Sequence, residues 1–453
     1  MTRPGTDAMA RIRRNAELGL ILLGSVIVVG AYVLASLGQN ASIPVDLGPF
    51  LAAELGLILF AHIATRRLAP SADGILLPLA VLLNGIGYVF IARLAGERSV
   101  PSDLPGLQAT WFALGMAAYV GTLLVIRRIR VLDQYRYTVG LIGLALLFLP
   151  LVPGVGRTIN GAKIWISLGP INLQPGEFAK LALAVFFASY LVDKRELLRM
   201  ATYRLGPLWL PEPKHFFPIL VAWAGSVVVM VSERDLGSSL LYFALFVVLL
   251  WIATERVAYL VVGVGLFAVG AFAAWRFFDH VQQRVDIWLD PWADPLDEGF
   301  QIVEAQYALA EGGLTGTGIG LGDPARIPVV ENDFIFAAIG EEMGLLGSTA
   351  IIVSYLLFVG TGLRIALRAV DPIAKLLAVG LTTIIGLQAF IIIGGVIRVV
   401  PLTGITLPYV SYGGSSLLAN YVLLALLIRI SDESAQRGRI DADAAGVVGS
   451  TAP

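Results

Sequence analysis

The 453-residue chain is 57% hydrophobic and 14% charged, with a net charge of −1, three histidines and no cysteine. A soluble domain carries about a quarter charged residues, so this composition reads as an integral membrane protein. The near-zero charge gives no electrostatic case for nucleic acid, the missing cysteine excludes disulfides and thiolate metal sites, and His62, His215 and His280 lie too far apart for a metal-ligand spacing.

A membrane-spanning helix needs ~20 apolar residues. The apolar runs predict about twelve such helices, near residues 18–37, 50–65, 74–94, 110–126, 139–153, 178–192, 216–232, 237–253, 257–275, 333–363, 373–397 and 415–430. The expected fold is all-α, a polytopic helical membrane protein with one large extracytoplasmic loop. The first run follows Arg11, Arg13 and Arg14, as a signal peptide would. It is too long for a typical signal core and many spans follow, so it reads as an uncleaved first helix. The expected organisation is a basic segment at 1–17, N-terminal helices at 18–153, a core at 154–432 containing the loop at about 276–332, and a disordered tail at 433–453.

Orientation follows from the basic residues in the connections. The alternate set made of 1–17, 66–73, 127–138, 193–215, 254–256, 364–372 and the tail from Arg429 carries 21 Lys and Arg. The opposite set carries 8, although it contains the longest loop. Both termini are therefore expected in the cytoplasm.

The outward set contains the unusual stretches. Residues 154–180 are dense in Gly and Pro and include Arg157, Lys163 and Trp165. Trp165 could be an interfacial anchor. Glu177 and Lys180, three apart, would share a helix face and could form an ion pair. Phe300–Glu311 has a helical pattern, and Gly312–Gly322 superficially resembles a nucleotide-binding glycine loop. No strand precedes it and no Gly-Lys-Ser/Thr closes it, so a flexible loop, or backbone approaching a ligand, is the better expectation. Glu341 and Glu342 fall inside an apolar run and need partners such as Lys180, Arg398 or water. Residues 398–416 contain Pro401, Pro408, Gly404, Gly413 and Gly414, which argue against a regular helix.

Ser232–Ser239 places Glu233, Arg234 and Asp235 between two apolar runs, at the tip of a tight helical hairpin. Charge at that depth marks a functional candidate. Asp235 could equally cap the second helix through the amides of Gly237 and Ser238, and the two roles are compatible.

Five segments together resemble the SEDS family (shape, elongation, division and sporulation) of bacterial cell-wall proteins. They are G-R-T-I-N-G-A-K-I-W-I-S-L-G at 156–169, Q-P-G-E-F-A-K at 174–180, E-R-D-L-G-S-S at 233–239, D-F-I-F-A-A-I-G-E-E-M-G at 333–344 and P-L-T-G-I-T-L-P-Y-V-S-Y-G-G-S-S at 401–416. V-D-K-R at 192–195, A-T-E-R at 253–256, H-V-Q-Q-R-V-D at 280–286 and I-R-V-V-P-L-T-G at 397–404 point to the elongation branch, with the division branch as the alternative. The chain departs from the family pattern in having two extra helices before the first motif, Ile164 where Arg is common, and Gly176 in place of Ser.

The resemblance implies a peptidoglycan glycosyltransferase that polymerises lipid II at the outer face of the cytoplasmic membrane beside a class B penicillin-binding protein, a transpeptidase. It implies Asp235 as the catalytic acid–base group. It also implies substrate contacts from Arg157, Lys163, Trp165, Glu177, Lys180, Ser411, Tyr412, Ser415 and Ser416. The acceptor hydroxyl needs a base, and the departing lipid pyrophosphate needs positive charge. Arg157, Lys163 and Arg398 are candidates for that charge. No cofactor is certain; a divalent cation, Mg2+ or Mn2+, could bridge the pyrophosphate and would then meet Asp235. Burial should raise the Asp235 pKa and Arg234 should lower it.

Two rival classes are a lipid II flippase and a non-catalytic scaffold for the transpeptidase. A transporter should show related halves, and the chain has no convincing internal repeat. All the outward segments are expected to line one wet cleft around Asp235 that opens sideways to lipid.

Overall fold

The computed structural model describes residues 4–43, 47–98, 100–159, 161–169, 171–199, 201–205, 208–211, 214 and 217–449; His215 and the last four residues of the tail lie outside them. Each of the twelve apolar runs is helical over most of its described residues. The first helices are α1 (Pro4–Asn40), α2 (Leu47–Leu68), α3 (Leu76–Leu94) and α4 (Leu104–Val125), followed by a short α5 (Arg130–Gln134) and α6 (Arg136–Phe148). Next come α7 (Gly176–Asp193), a short α8 (Arg195–Arg199), α9 (Phe217–Glu233), α10 (Leu236–Thr254) and α11 (Val257–Phe277). The long loop contains α12 (Asp279–Leu289) and α13 (Phe300–Gly312) before α14 (Ile335–Arg368), α15 (Pro372–Val396) and α16 (Gly414–Gly449). Among the described residues eight helices are long and apolar enough to cross a membrane, with shorter apolar helices at Arg136–Leu151 and Leu220–Glu233.

Two features go beyond the sequence reading. Residues 154–180, dense in Gly and Pro, contain a three-stranded antiparallel sheet of β1 (Gly156–Ile159), β2 (Ala162–Leu168) and β3 (Ile171–Leu173). The Ile-Trp-Ile run of β2 favours strand, and pairing satisfies backbone groups that would otherwise be exposed at the membrane edge. A second ribbon pairs β4 (Ala201–Leu205) with β5 (Leu208–Pro211). The tail expected to be disordered is instead helical as far as Gly449, as the end of α16. It continues a helix already nucleated in the bundle, so the cost of starting a new one does not arise.

The core brings α10, α15 and α7 together, while α16 lies along α4 and α14 along α15 and α3. Helices α1 and α2 pack on α3 and α4 respectively. Polar contacts divide the connections into two groups. At one end Asp371 meets Arg130 at 2.7 Å and Arg437 at 3.5 Å, the Ile129 amide donates to Glu433 at 2.7 Å, and Arg364 meets Asp73 at 2.7 Å. These are members of the Lys/Arg-rich set. At the other end Arg98 meets Asp323 at 2.7 Å, the Tyr412 amide donates to the Glu331 carbonyl at 2.9 Å, and the Gln174 amide donates to Ser415 at 2.9 Å. Each of these contacts joins connections of the same charge-sorted set.

Candidate functional site around Asp235

Asp235 occupies the break between two helices. α9 ends at Glu233, Arg234 takes left-handed backbone (φ 57), and Asp235 (φ −111, ψ 96) is the N-cap of α10. One carboxylate oxygen accepts the Ser238 amide at 2.9 Å and the other accepts the Ser238 hydroxyl at 2.6 Å. The capping role is thus real, and it falls on Ser238 alone among the described residues. Gly237 is where another segment closes in. A Cβ there would collide with Ile405 and stand 3.1 Å from Thr403 Oγ1, so only glycine lets the 398–416 segment lie against the start of α10.

The cation facing Asp235 is Arg284 of α12, not Arg234. Arg284 lowers the pKa of both Asp235 and Asp333. Its Nη1 donates to the Leu402 carbonyl at 2.7 Å. At Gly404 a Cβ would stand 3.7 Å from Arg284 Nη2 and 3.8 Å from Asp333 Oδ2. Arg234 instead lines an open cavity of about 770 Å³ with His280, Asp279, Asp286 and Glu298.

Burial raises the Asp235 carboxyl above the ordinary range; the Ser238 bonds and Arg284 oppose the rise, and Glu177 adds to it. Burial carries Asp333 to about 6, with Arg284 opposing and Glu331 and Asp235 reinforcing. Burial lowers His280, as do Arg234 and Arg284. Buried polar atoms lacking partners adjoin the same place: Glu233 Oε1, Thr403 Oγ1, Glu331 Oε2 and Asn332 Oδ1. Most buried polar groups are satisfied, so this concentration suits a ligand that brings its own donors.

Glu177 and Lys180 form the expected ion pair, at 2.6 Å, and Lys180 also donates to Gln388 of α15 at 3.0 Å. Lys180 is 1% exposed. The Tyr242 hydroxyl of α10 donates to the Gly176 carbonyl at 3.0 Å, which brings the start of α7 beside Asp235. Of the 411–416 residues, Ser411 donates to the Asn332 carbonyl at 2.6 Å, Ser415 accepts from Gln174, and Ser416 accepts from Thr406 at 2.8 Å. Tyr412 is half-buried, and burial raises its hydroxyl. These hydroxyls staple the 398–416 segment to its neighbours.

The sheet carries the remaining candidates. Arg157 pairs directly with Trp165 across β1 and β2, and Lys163 lies two residues from Trp165. Opposed residues and alternate residues share a face, so Arg157, Lys163 and Trp165 point the same way. Lys163 Nζ is 3.4 Å from the Leu151 carbonyl, and Arg157 is exposed. Among the described residues no hydrogen bond or ion pair joins either cation to Asp235. β2 packs against α9, which leads to Asp235.

Three partner expectations are corrected. Arg398 donates to the Trp288 carbonyl at 2.9 Å and the Leu289 carbonyl at 3.0 Å, while its own carbonyl accepts the Trp288 indole at 3.0 Å. It clamps α12 to the 398–416 segment instead of standing free for an anion. Glu342 pairs with Arg93 of α3 at 2.6 Å, and Glu341 accepts the Asp323 amide at 2.6 Å. The glycine-rich loop approaches these glutamates: Gly320 donates to the Glu342 carboxylate at 2.9 Å, and the Thr317 amide donates to the Glu341 carbonyl at 2.9 Å. Gly344 (φ 65) interrupts α14 just beyond them, and the amides of Leu345 and Leu346 donate to Gly313 and Leu314 of that loop.

Comparison with known proteins now decides the family. The model of the FtsW/RodA/SpoVE cell cycle protein family matches residues 75–436. The chain belongs to this family. It is 46% identical over 426 residues to the peptidoglycan glycosyltransferase RodA of Mycobacterium tuberculosis, covering 92% of this chain and 90% of that one. It is 33% identical to a probable peptidoglycan glycosyltransferase FtsW of Geobacter metallireducens, covering 79% and 94%. Among solved structures it is similar to a chain described under structural coordination of polymerization and crosslinking by a peptidoglycan synthase complex, at a TM-score of 0.66 and 27% identity, covering 80% and 98%. Thermus thermophilus rod shape determining protein RodA aligns at a TM-score of 0.56 and 25% identity, covering 80% and 97%. Helices α1 and α2 lie ahead of the region the family model matches.

In this member of the FtsW/RodA/SpoVE family, Arg284, Asp333, Glu331 and Thr403 join the site although motif reading gave them no role. Arg284 and Asp333 stood inside quoted motifs, but nothing local in the sequence says that they face Asp235. Beside Asp235 lies an apolar cavity of about 330 Å³, walled by Phe243 and Leu236 of α10, Ala271 of α11 and Phe390 of α15, with Ser239, Arg284 and Thr403 at its polar side. Among the described residues no group of three or more His, Asp or Glu could hold a metal ion. Both Asp235 oxygens are already engaged by Ser238. A divalent cation here would need phosphate oxygens as co-ligands.

Proposed function

We propose that the chain is a peptidoglycan glycosyltransferase of the elongation type, polymerising lipid II at the outer face of the cytoplasmic membrane. The observation that carries the reading is the placement of Asp235. Its buried carboxylate stands between a polar cluster and an apolar cavity walled by membrane helices. A lipid-linked sugar needs both surroundings, because its isoprenoid stays in hydrocarbon while its sugars and phosphates reach polar groups.

In the proposed step Asp235 accepts the proton of the acceptor sugar's 4-hydroxyl. The oxygen attacks the donor's anomeric carbon, and the bond from that carbon to the pyrophosphate oxygen breaks. The lipid pyrophosphate leaves with the electron pair. A raised Asp235 pKa suits a general base working near neutrality. In this reading the exposed Arg157 and half-buried Lys163, on one face of the sheet, would meet the leaving pyrophosphate. Mg2+ or Mn2+ shared between Asp235 and the phosphates would supply further charge neutralisation when bound. A class B penicillin-binding protein is the partner this reading calls for, and the described peptidoglycan synthase complex supports it.

The test is polymerisation of fluorescent lipid II by the purified full-length protein, alone and with its transpeptidase. Asp235→Asn keeps the cap and removes the base. It should lose ~100-fold or more in rate with an unchanged melting temperature. Substantial glycan synthesis by this variant would leave Asp235 a cap and nothing more.

A further inference from the structure

At the end of the molecule opposite Asp235, four elements enclose a cavity of about 640 Å³. They are α1 near Ala16 and Leu20, the α2–α3 connection at Ser71–Ile75, the last turns of α14 and the polar extension of α16. None of the proposed chemistry uses this cavity.

Its walls combine two kinds of surface. Leu20, Ile75 and Ile365 are apolar, and Leu20 is 41% exposed beside the opening. Arg364 and Arg368, one helical turn apart, supply two cations. Asp73 neutralises only the first, through Arg364 Nη2 at 2.7 Å. Arg364 Nε is buried without a hydrogen-bond partner. Arg368 is exposed and, among the described residues, has no ion-pair partner. Leu367 beside it is 76% exposed, as on a lipid-facing surface.

We propose that this cavity holds the phosphate headgroup of an anionic phospholipid, with Arg368 as its donor, Arg364 as a second cation beside it and an acyl chain leaving along Leu20. Two arginines against the single carboxylate of Asp73 leave positive charge in the cavity wall that suits an anionic group. A free phosphate ion would satisfy the arginines but leave the apolar wall and its opening unexplained. A basic pocket between membrane helices on the positively charged side is the setting in which lipid headgroups bind. The site would let lipid bridge α1 to the ends of α14 and α16, which line the same cavity, independently of the glycosyltransferase reading.

The test uses the purified full-length protein in detergent with dioleoylphosphatidylglycerol or dioleoylphosphatidylcholine, read by native mass spectrometry and by melting temperature. Wild type should retain phosphatidylglycerol in preference to phosphatidylcholine and melt higher with it. Arg368→Gln should weaken that retention about fivefold, whereas Arg127→Gln, at another exposed cation of the same end, should not. Arg364→Lys keeps a charge for Asp73 and the cavity, and should weaken retention less than Arg368→Gln does. Equal retention of both lipids, or no effect of Arg368→Gln, overturns the proposal. So does a stabilisation by inorganic phosphate alone that Arg368→Gln removes, which would assign the site to a free anion. A lipid-free dimer that Arg368→Gln dissociates would assign the face to a second copy of the chain and overturn it equally.

Discussion

Arg93 Nε donates to Glu342 Oε1 at 2.6 Å, with the arginine side chain 2% and the glutamate 0% exposed. The bond ties α3 to the start of α14, and Arg93 adds the Gly322 carbonyl at 2.6 Å and Glu97 at 2.6 Å. One guanidinium thus organises the end at which the long loop returns to the bundle.

Removing one partner of such a pair strands the other as an unpaired buried charge, at a cost of about 3–5 kcal/mol. Arg93→Ala should therefore lower the melting temperature strongly. A paired apolar replacement, Arg93→Met with Glu342→Leu, should recover most of the loss. If the double variant is no better than Arg93→Ala, the damage lies in the loop contacts and not in the stranded carboxylate.

Arg284 lowers the Asp235 pKa. Arg284→Gln should raise that pKa further, so more alkaline solution is needed to free the base. The acidic limb of the polymerisation rate against pH should move to higher pH, and Arg284→Lys should restore much of it. A uniform fall in rate with an unmoved limb would show that Arg284 serves only to hold Leu402.

The Asp333 pKa is raised from an ordinary value near 4 to about 6. The folded state then holds a proton that the unfolded state has released, so stability falls as pH rises between about 4 and 6. Asp333→Asn should flatten this dependence by an amount on the order of 1 kcal/mol. Melting curves from pH 4 to 7 for both proteins measure it, and parallel curves would contradict the assignment.

Ala271 lies on the lipid side of the apolar cavity and is exposed. Ala271→Phe should fill the cavity without disturbing the core. If the isoprenoid runs there, polymerisation should drop on the order of tenfold while the melting temperature holds. Normal activity would place the lipid elsewhere.

Sidedness has a direct test. A cysteine replacing the exposed Asp294 should react with an impermeant reagent from outside the cell, and a reporter fused after Ser434 should read as cytoplasmic. Both sites in one compartment would mean an odd error in the number of crossings between them.

Much of this protein is legible in its sequence because membrane insertion is decided locally. Length and apolarity of single runs predict the twelve helices, and basic residues a few positions from each run sort the connections into two groups. The capping chemistry of Asp235 is also local, since Ser238 is three residues away. The partners of the buried charges are not local. Arg93 meets Glu342 across 249 positions, and Arg398 meets Trp288 across 110. Arg284 reaches Asp235 only because the 398–416 segment holds α12 against the start of α10. A charge in a low-dielectric interior is governed by whatever stands a few ångströms away in space, and only the folded chain determines which residues those are.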